Sequence, residues 1–323
     1  MFYQIFSVLL MIFAIVACSP FHAAAQLGSS SHRTAWGAPN LQGVWDFRSL
    51  TPMERPTDLG TNEIFTEEQA VEFSEQEIGR RSRDNDTSDR VVPYNDFWFD
   101  EGTTVTTDRT SLVIDPANGR IPEIMPSGAR KMSAVARARR GVDPDAPTPG
   151  GFVEDLGPGG LRVRCVLGFN SGPPMTPGAY NNNVQLFQTA EDVVILNEMI
   201  HDARIVPLDG RPHLSAEIRQ WAGDPRGRWE GDTLVVESTN FLRETMFPNS
   251  TANMHLIERF TRIDDDTLLY EVTVEDPTTW SRPWTFSVPM KRNPEPMYEY
   301  ACHEGNYGLY NILAGAVAEE LPR

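Results

Sequence analysis

Four histidines, His201, His213, His255 and His303, stand in the body of a chain that is rich in carboxylates. An imidazole paired with a carboxylate can pass a proton near neutral pH. His201-Asp202 and His303-Glu304 are neighbours in sequence, but adjacent strand residues point to opposite faces, so the useful partner must come from another strand. Glu258, Tyr270 and Glu299 can fill that role. The run Tyr298-Glu299-Tyr300-Ala301-Cys302-His303-Glu304-Gly305-Asn306-Tyr307 carries more hydrogen-bonding tips than a structural strand needs. We therefore expect His201, His303, Glu258 and Tyr300 to supply acid–base groups. Arg204, Arg259 and Arg282 interrupt apolar segments. Such an Arg either clamps an anionic oxygen through two N–H bonds or pairs with Glu258, Glu271 or Glu275 across strands. Arg204, Arg259, Tyr270, Tyr298 and Trp284 form the expected ligand-binding set. Trp221, Trp229, Trp280 and Trp284, with Phe241, Phe247, Phe260 and Phe286, either pack the core or line an apolar pocket.

Several chemistries find no motif. The chain has no Gly-x-Ser-x-Gly, no His-Glu-x-x-His, no Walker loop and no Gly-x-Gly-x-x-Gly opening a helix. Convergence of His201, His255 and His303 on a metal would need tertiary structure, since no local spacing demands it. The expectation is a site without metal or other cofactor. Cys165 and Cys302 are not in Cys-x-x-Cys pairs, and in an oxidising compartment two such thiols pair as a disulfide.

The elements that must position these groups are strands. Candidates are 161–167, 183–188, 193–206, 233–240, 254–263, 267–275, 284–290 and 297–302, most joined by short connections, as in an antiparallel meander. An internal echo supports this reading. Arg228-Trp229-Glu230-Gly231-Asp232-Thr233-Leu234 matches Arg262-Ile263-Asp264-Asp265-Asp266-Thr267-Leu268, and Thr189-Ala190-Glu191-Asp192 is a looser third copy. Each is a turn feeding an apolar strand. A repeated hairpin move builds a barrel or a strongly curved sheet. After Asp266, Leu268, Tyr270, Val272 and Val274 share one face and Leu269, Glu271, Thr273 and Glu275 the other. The run 193–206 is mixed on both faces, which predicts that one end passes over a cavity or under a loop.

Upstream of the barrel the chain changes character. Residues 1–25 carry no charge, and their apolar core at 5–17 suits a signal peptide. Cleavage after Ala25 or before a lipidated Cys18 both fit. Residues 26–40 read as a linker, 41–160 as an arm of loops, helices and first strands, and 161–323 as the main barrel domain. Thr66-Glu67-Glu68-Gln69 is a capping box opening a polar helix to about Arg81. Ser127 opens a second helix through Arg140 whose Arg and Lys residues form a basic island. The 28 Lys+Arg against 45 Asp+Glu give a net charge of −17. That acidity excludes nucleic acid as a partner and leaves membrane contact only through an N-terminal lipid.

Gly43-Val44-Trp45 resembles the Gly-x-Trp signature that opens lipocalin and other calycin barrels. That resemblance implies a lipocalin-like barrel with Trp45 plugging one end and a late-strand Arg, Arg282 or Arg292, packed on it. A wider resemblance is to a group of exported bacterial proteins of uncharacterised function. It rests on Pro39-Asn40-Leu41-Gln42-Gly43-Val44-Trp45-Asp46-Phe47, the stretch from Pro177 to the end of the block His201-Asp202-Ala203-Arg204, Asp209-Gly210-Arg211-Pro212-His213, Gly227-Arg228-Trp229-Glu230-Gly231-Asp232 and the 298–307 run, and implies export and a largely β domain. Three functions are compatible with these readings. The first is an exported, cofactor-independent lyase, isomerase or hydrolase working on a small, partly apolar or aromatic molecule in a barrel pocket. The second is a lipocalin-like carrier, and the third a structural envelope lipoprotein. Each places the chain in the periplasm, on the outer membrane or outside the cell.

Overall fold

β-Branched and aromatic residues alternating with polar ones give ten strands among the described residues. The computed structural model describes residues 32–84, 95–105, 108–128, 161, 164–242 and 247–320. The strands are β1 (Gly43–Asp46), β2 (Val113–Asp115), β3 (Asn183–Gln188), β4 (Asp192–Asn197), β5 (Ala203–Pro207), β6 (Asp224–Glu230), β7 (Thr233–Thr239), β8 (His255–Arg262), β9 (Thr267–Glu275) and β10 (Trp284–Asn293). They form one antiparallel sheet in the order β5-β4-β3-β1-β10-β9-β8-β7-β6, with β2 pairing alongside β10. The protein is therefore mainly β. β1, from the arm, sits between β3 and β10.

The three echoed turns are three of the hairpin connections. Gly231, at φ 63°, turns β6 into β7. Asp264 accepts the Asp266 N–H between β8 and β9, and the Thr189 hydroxyl accepts the Asp192 N–H between β3 and β4. Period-2 alternation then sends one face inward. Leu268, Tyr270, Val272 and Val274 are all buried, as are Leu256, Glu258 and Phe260 on β8 and Trp284, Phe286, Val288 and Met290 on β10. Each fully buried large apolar side chain contributes about 1.5–3 kcal/mol. The sheet curls until its two edge strands meet, because a Cβ on Gly227 of β6 would lie 2.6 Å from Leu208 and 2.8 Å from Val206 of β5. No register joins β5 to β6, so the hydrogen-bonded ladder is open there.

Helix α1 (Glu67–Arg81) begins at the expected capping box, with Thr66 and Gln69 exchanging side-chain and backbone bonds. A second helix, α2 (Tyr307–Glu320), follows the 298–307 run. It was not expected, although its Leu- and Ala-containing sequence favours helix. Three strand expectations need correction. Residues 164–167 are turns and bends, with Cys165 at φ 55°. Residues 297–302 form no strand; polar tips and a covalent tether hold them as coil. The run 193–206 is broken by a 3-10 turn, Met199–His201, where Ile200 (φ 65°) and His201 (φ 48°) are left-handed. β6 was missed because Pro225 and Gly227 obscure its pattern, yet an edge strand tolerates a proline. The signal peptide, Cys18 and most of the helix expected at 127–140 lie outside the described residues.

Candidate functional site

The break at Met199–His201 shifts the strand parity. In an unbroken strand Ala203 and Ile205 would share a face with Ile195 and Asn197. Instead Arg204 and Val206 turn inward, and Ile205 faces out. Arg204 thereby reaches across the curled sheet to Glu258 of β8. Its Nη1 donates to Oε2 at 2.6 Å and its Nη2 to Oε1 at 2.9 Å. Tyr270 Oη donates to the same Oε1 at 2.7 Å and accepts the Met175 backbone N–H at 3.1 Å. Glu258 is fully buried and Arg204 nearly so. Burial alone would lower the Arg204 guanidinium, but the Glu258 carboxylate outweighs it and the net is a rise. Burial, then the Glu258 charge, pushes the Tyr270 phenol well above its ordinary range. Burial likewise raises the Asp202 carboxyl against the pull of Arg204. Arg204 Nε, Asp202 Oδ2, Ser238 Oγ and both side-chain polar atoms of Asn197 are buried without a hydrogen-bond partner among the described residues.

The other expected site residues are dispersed. His201 is exposed and its Nδ1 donates to the Tyr300 carbonyl at 2.9 Å. His303 and Tyr298 are exposed, and Tyr300 is half-buried. Arg259 faces out and donates to Glu230 at 2.8 Å. Among the described residues no hydrogen bond or ion pair joins His201 or His303 to Glu258. The structure thus joins Arg204, Glu258 and Tyr270, joins His201 to Tyr300, and leaves His303, Tyr298 and Arg259 outside both groups. Cys165 and Cys302 form the expected disulfide, with Cα atoms 5.9 Å apart. It packs with Met199 and Ile200, and Phe169, Tyr180 and Tyr300 lie against that cluster. Arg292, not Arg282, stands over Trp45, 5.9 Å from its centroid, with Arg262 at 5.7 Å. Arg282 instead holds Asp115 at 2.6 Å.

One apolar concavity with convergent aromatic rings is a cleft of about 580 Å³ beside the start of β10. Trp284 ends the inward row of that strand. Trp280 is set by the loop before it, where the buried Asp276 carboxylate accepts the Thr278 and Thr251 N–H groups at 3.0 and 2.6 Å. Phe247 lies with its centroid 6.0 Å from Trp284 and 6.3 Å from Trp280. Met53, Ile121 and the segment Gly172-Pro173-Pro174 also line it. Glu54 accepts the Ile121 N–H at 2.9 Å, which fixes that wall. The buried network reaches the cleft as well, since Met175, the residue Tyr270 holds, lies between the lining residues Pro174 and Thr176. Trp284 is only 1% exposed and its Nε1 has no partner among the described residues. Of this cleft, the sequence reading named Trp284 as ligand-binding and Phe247 and Trp280 as pocket candidates. It missed Asp276, whose Asp-Pro-Thr-Thr turn was a usable signal.

A second concavity of about 630 Å³ is lined by Trp98, Phe99, Phe169, Tyr180 and Tyr300. There the Arg83 guanidinium already covers Phe99 at 3.2 Å from its centroid. Among the described residues no three His, Cys, Asp or Glu side chains gather as a metal site needs. No protein-family model matches the chain, and neither a curated protein nor a solved structure matches it significantly.

Proposed function

We propose that this is an exported binding protein for a small, largely apolar or aromatic molecule, held in the cleft of Phe247, Trp280 and Trp284. The observation that carries the reading is the contrast between a filled interior and this open apolar cleft. The inner face of the sheet is packed with side chains from Leu41 to Met290, whereas the cleft leaves aromatic and proline surface accessible. Concave apolar sites with a few placed polar groups are where small ligands bind. Acid–base turnover has less support, since Glu258 is held by Arg204 and Tyr270 while His201 and His303 are apart from it. The meeting of β5 and β6 at Gly227 supports a lipocalin-like barrel as the frame. The disulfide supports export, because such bonds persist in oxidising compartments.

The test is a fluorescence titration with the neutral probe N-phenyl-1-naphthylamine. The full chain should bind it saturably. Phe247→Ala and Trp280→Ala should each weaken binding at least about tenfold, roughly 1.4 kcal/mol, with an unchanged circular dichroism spectrum. Absence of binding, or equal binding by both folded variants, overturns the proposal.

A further inference from the structure

We infer that the outer face of β3, β4 and β5 is an interface at which two copies of this chain meet as a dimer. An antiparallel sheet with one face on its core turns polar side chains to water on the other. β7, β8 and β9 follow that rule. On their outer face Glu237, His255 and Glu275 are joined by hydrogen bonds, and Arg259 holds Glu230. β3, β4 and β5 break it. Their register sets Phe187, Val194 and Ile205 side by side in one row and Gln185, Leu196 and Ala203 in the next. Phe187 is 42% exposed and Ile205 62%, with Val194 half-buried between them. None of these residues carries a charge. Charged groups border the rows at Asp192, opposite Pro207, and at Glu198, which accepts the Asn183 side-chain amide at 2.8 Å. Scattered apolar side chains on a surface are ordinary, whereas a contiguous group with a polar border marks a contact surface.

Charge names the occupant. At a net charge of −17, two copies repel each other over most of their surfaces. A face without charges is where they come together at least electrostatic cost. It offers nothing to a basic partner, which would settle on carboxylates elsewhere. An anionic lipid surface calls for basic residues at the border, and Asp192 and Glu198 stand there instead. What the face does offer is apolar surface that gains by leaving water. Strand addition is closed, because the outer edge of β5 lies against β6, where a Cβ on Gly227 would stand 2.8 Å from Val206. The contact is therefore face to face, as sheets pack about 10 Å apart. A two-fold axis through Val194 would set Phe187 of each copy against Ile205 of the other, so one row serves both sides of the interface. With strands about 4.8 Å apart and same-face residues about 6.8 Å apart, these rows and their border offer roughly 500 Å² in projection. That is less than the ~800 Å² per partner of a standard stable complex, which makes the dimer a weak, reversible one.

The experiment is analytical ultracentrifugation of the full chain over a range of concentrations. We expect a reversible monomer–dimer equilibrium with a Kd on the order of 10–100 μM. It should tighten when salt rises from about 0.15 to about 0.5 M, because screening weakens the repulsion between copies and leaves the apolar contact. I205E and F187E should each weaken dimerisation at least tenfold. Both side chains are exposed, so the circular dichroism spectrum and melting curve should not change. I263E, at an isoleucine 57% exposed beside the turn between β8 and β9, should leave the dimer intact. A chain that stays monomeric up to about 1 mM overturns the inference. So do a dimer that the two folded variants leave unweakened, a dimer that dissociates as salt rises, and binding to phosphatidylcholine vesicles in place of self-association. Neither Phe187 nor Ile205 lines the cleft, so the naphthylamine titration tests the binding function separately and either proposal can fail without the other.

Discussion

Arg204, Glu258, Tyr270 and the Met175 N–H form a chain of hydrogen bonds from β5, across the interior, to the proline segment that walls the cleft. A buried pair of this kind is costly to break from one side, by about 3–5 kcal/mol, because the remaining charge is left uncompensated. Its role here is to fix the position of the wall, since one member of the chain is backbone of that wall. Asp202 is the member of this region whose charge works against folding. Its native carboxyl is raised by burial, so the stability it contributes is fully present below the unfolded value near 4 and is lost as pH rises through the native one. Asp202→Asn keeps the group neutral throughout. We expect it to stabilise the protein by about 1 kcal/mol at pH 7, with the difference from wild type closing at pH 4 and below. Urea denaturation at the two pH values checks this, and equal differences at both would refute it. The sequence shows that Arg204 interrupts an apolar run. It cannot show that Glu258 is its partner, because their registers are fixed by different hairpins and meet only through the curl of the sheet.

At the scale of elements, what was legible was what is local. The alternation of β9, the capping box of α1 and the three echoed turns each depend on residues within one turn or one strand. The left-handed pair Ile200 and His201 depends on surroundings instead. Neither residue type announces positive φ, and the parity shift it causes decides which of Ala203 and Arg204 is buried. Trp284 was read as ligand-binding from its type, but the cleft around it is assembled from loops at 53–54, 121–124, 172–177 and 247–249, whose meeting no period encodes. β6 carries a second consequence of context. Gly227 lets β5 lie against it, and an added methyl would clash with Leu208 and Val206. Gly227→Ala should destabilise by about 1–3 kcal/mol, the usual range for overpacking, read as a lower urea midpoint. An unchanged midpoint would mean that the two edges part freely.

Across the whole molecule, the disulfide ties the turn at Cys165 to Cys302, a separation of 137 residues that spans every strand from β3 to β10. In the chain-entropy description, closing a loop of that size stabilises the fold by about 4–5 kcal/mol. Cys302→Ser should show a loss of that order in denaturant titrations under oxidising conditions. A loss below about 1 kcal/mol would place the stabilisation elsewhere. Cys165 and Cys302 could be paired from sequence because the expected oxidising compartment leaves few other fates for two thiols, while the aromatic residues clustered around the bond could not be placed. The placing of β1 has one more consequence. Its partners are β3 and β10, so it borders the last strand of the sheet to be synthesised. While the polypeptide emerges from the ribosome, Trp45 and its neighbours must wait, without their final shelter, until residue 293 has been added. The earliest strand to be made is among the last to be completed, and this sheet reaches its native pairing only after β10 has been synthesised.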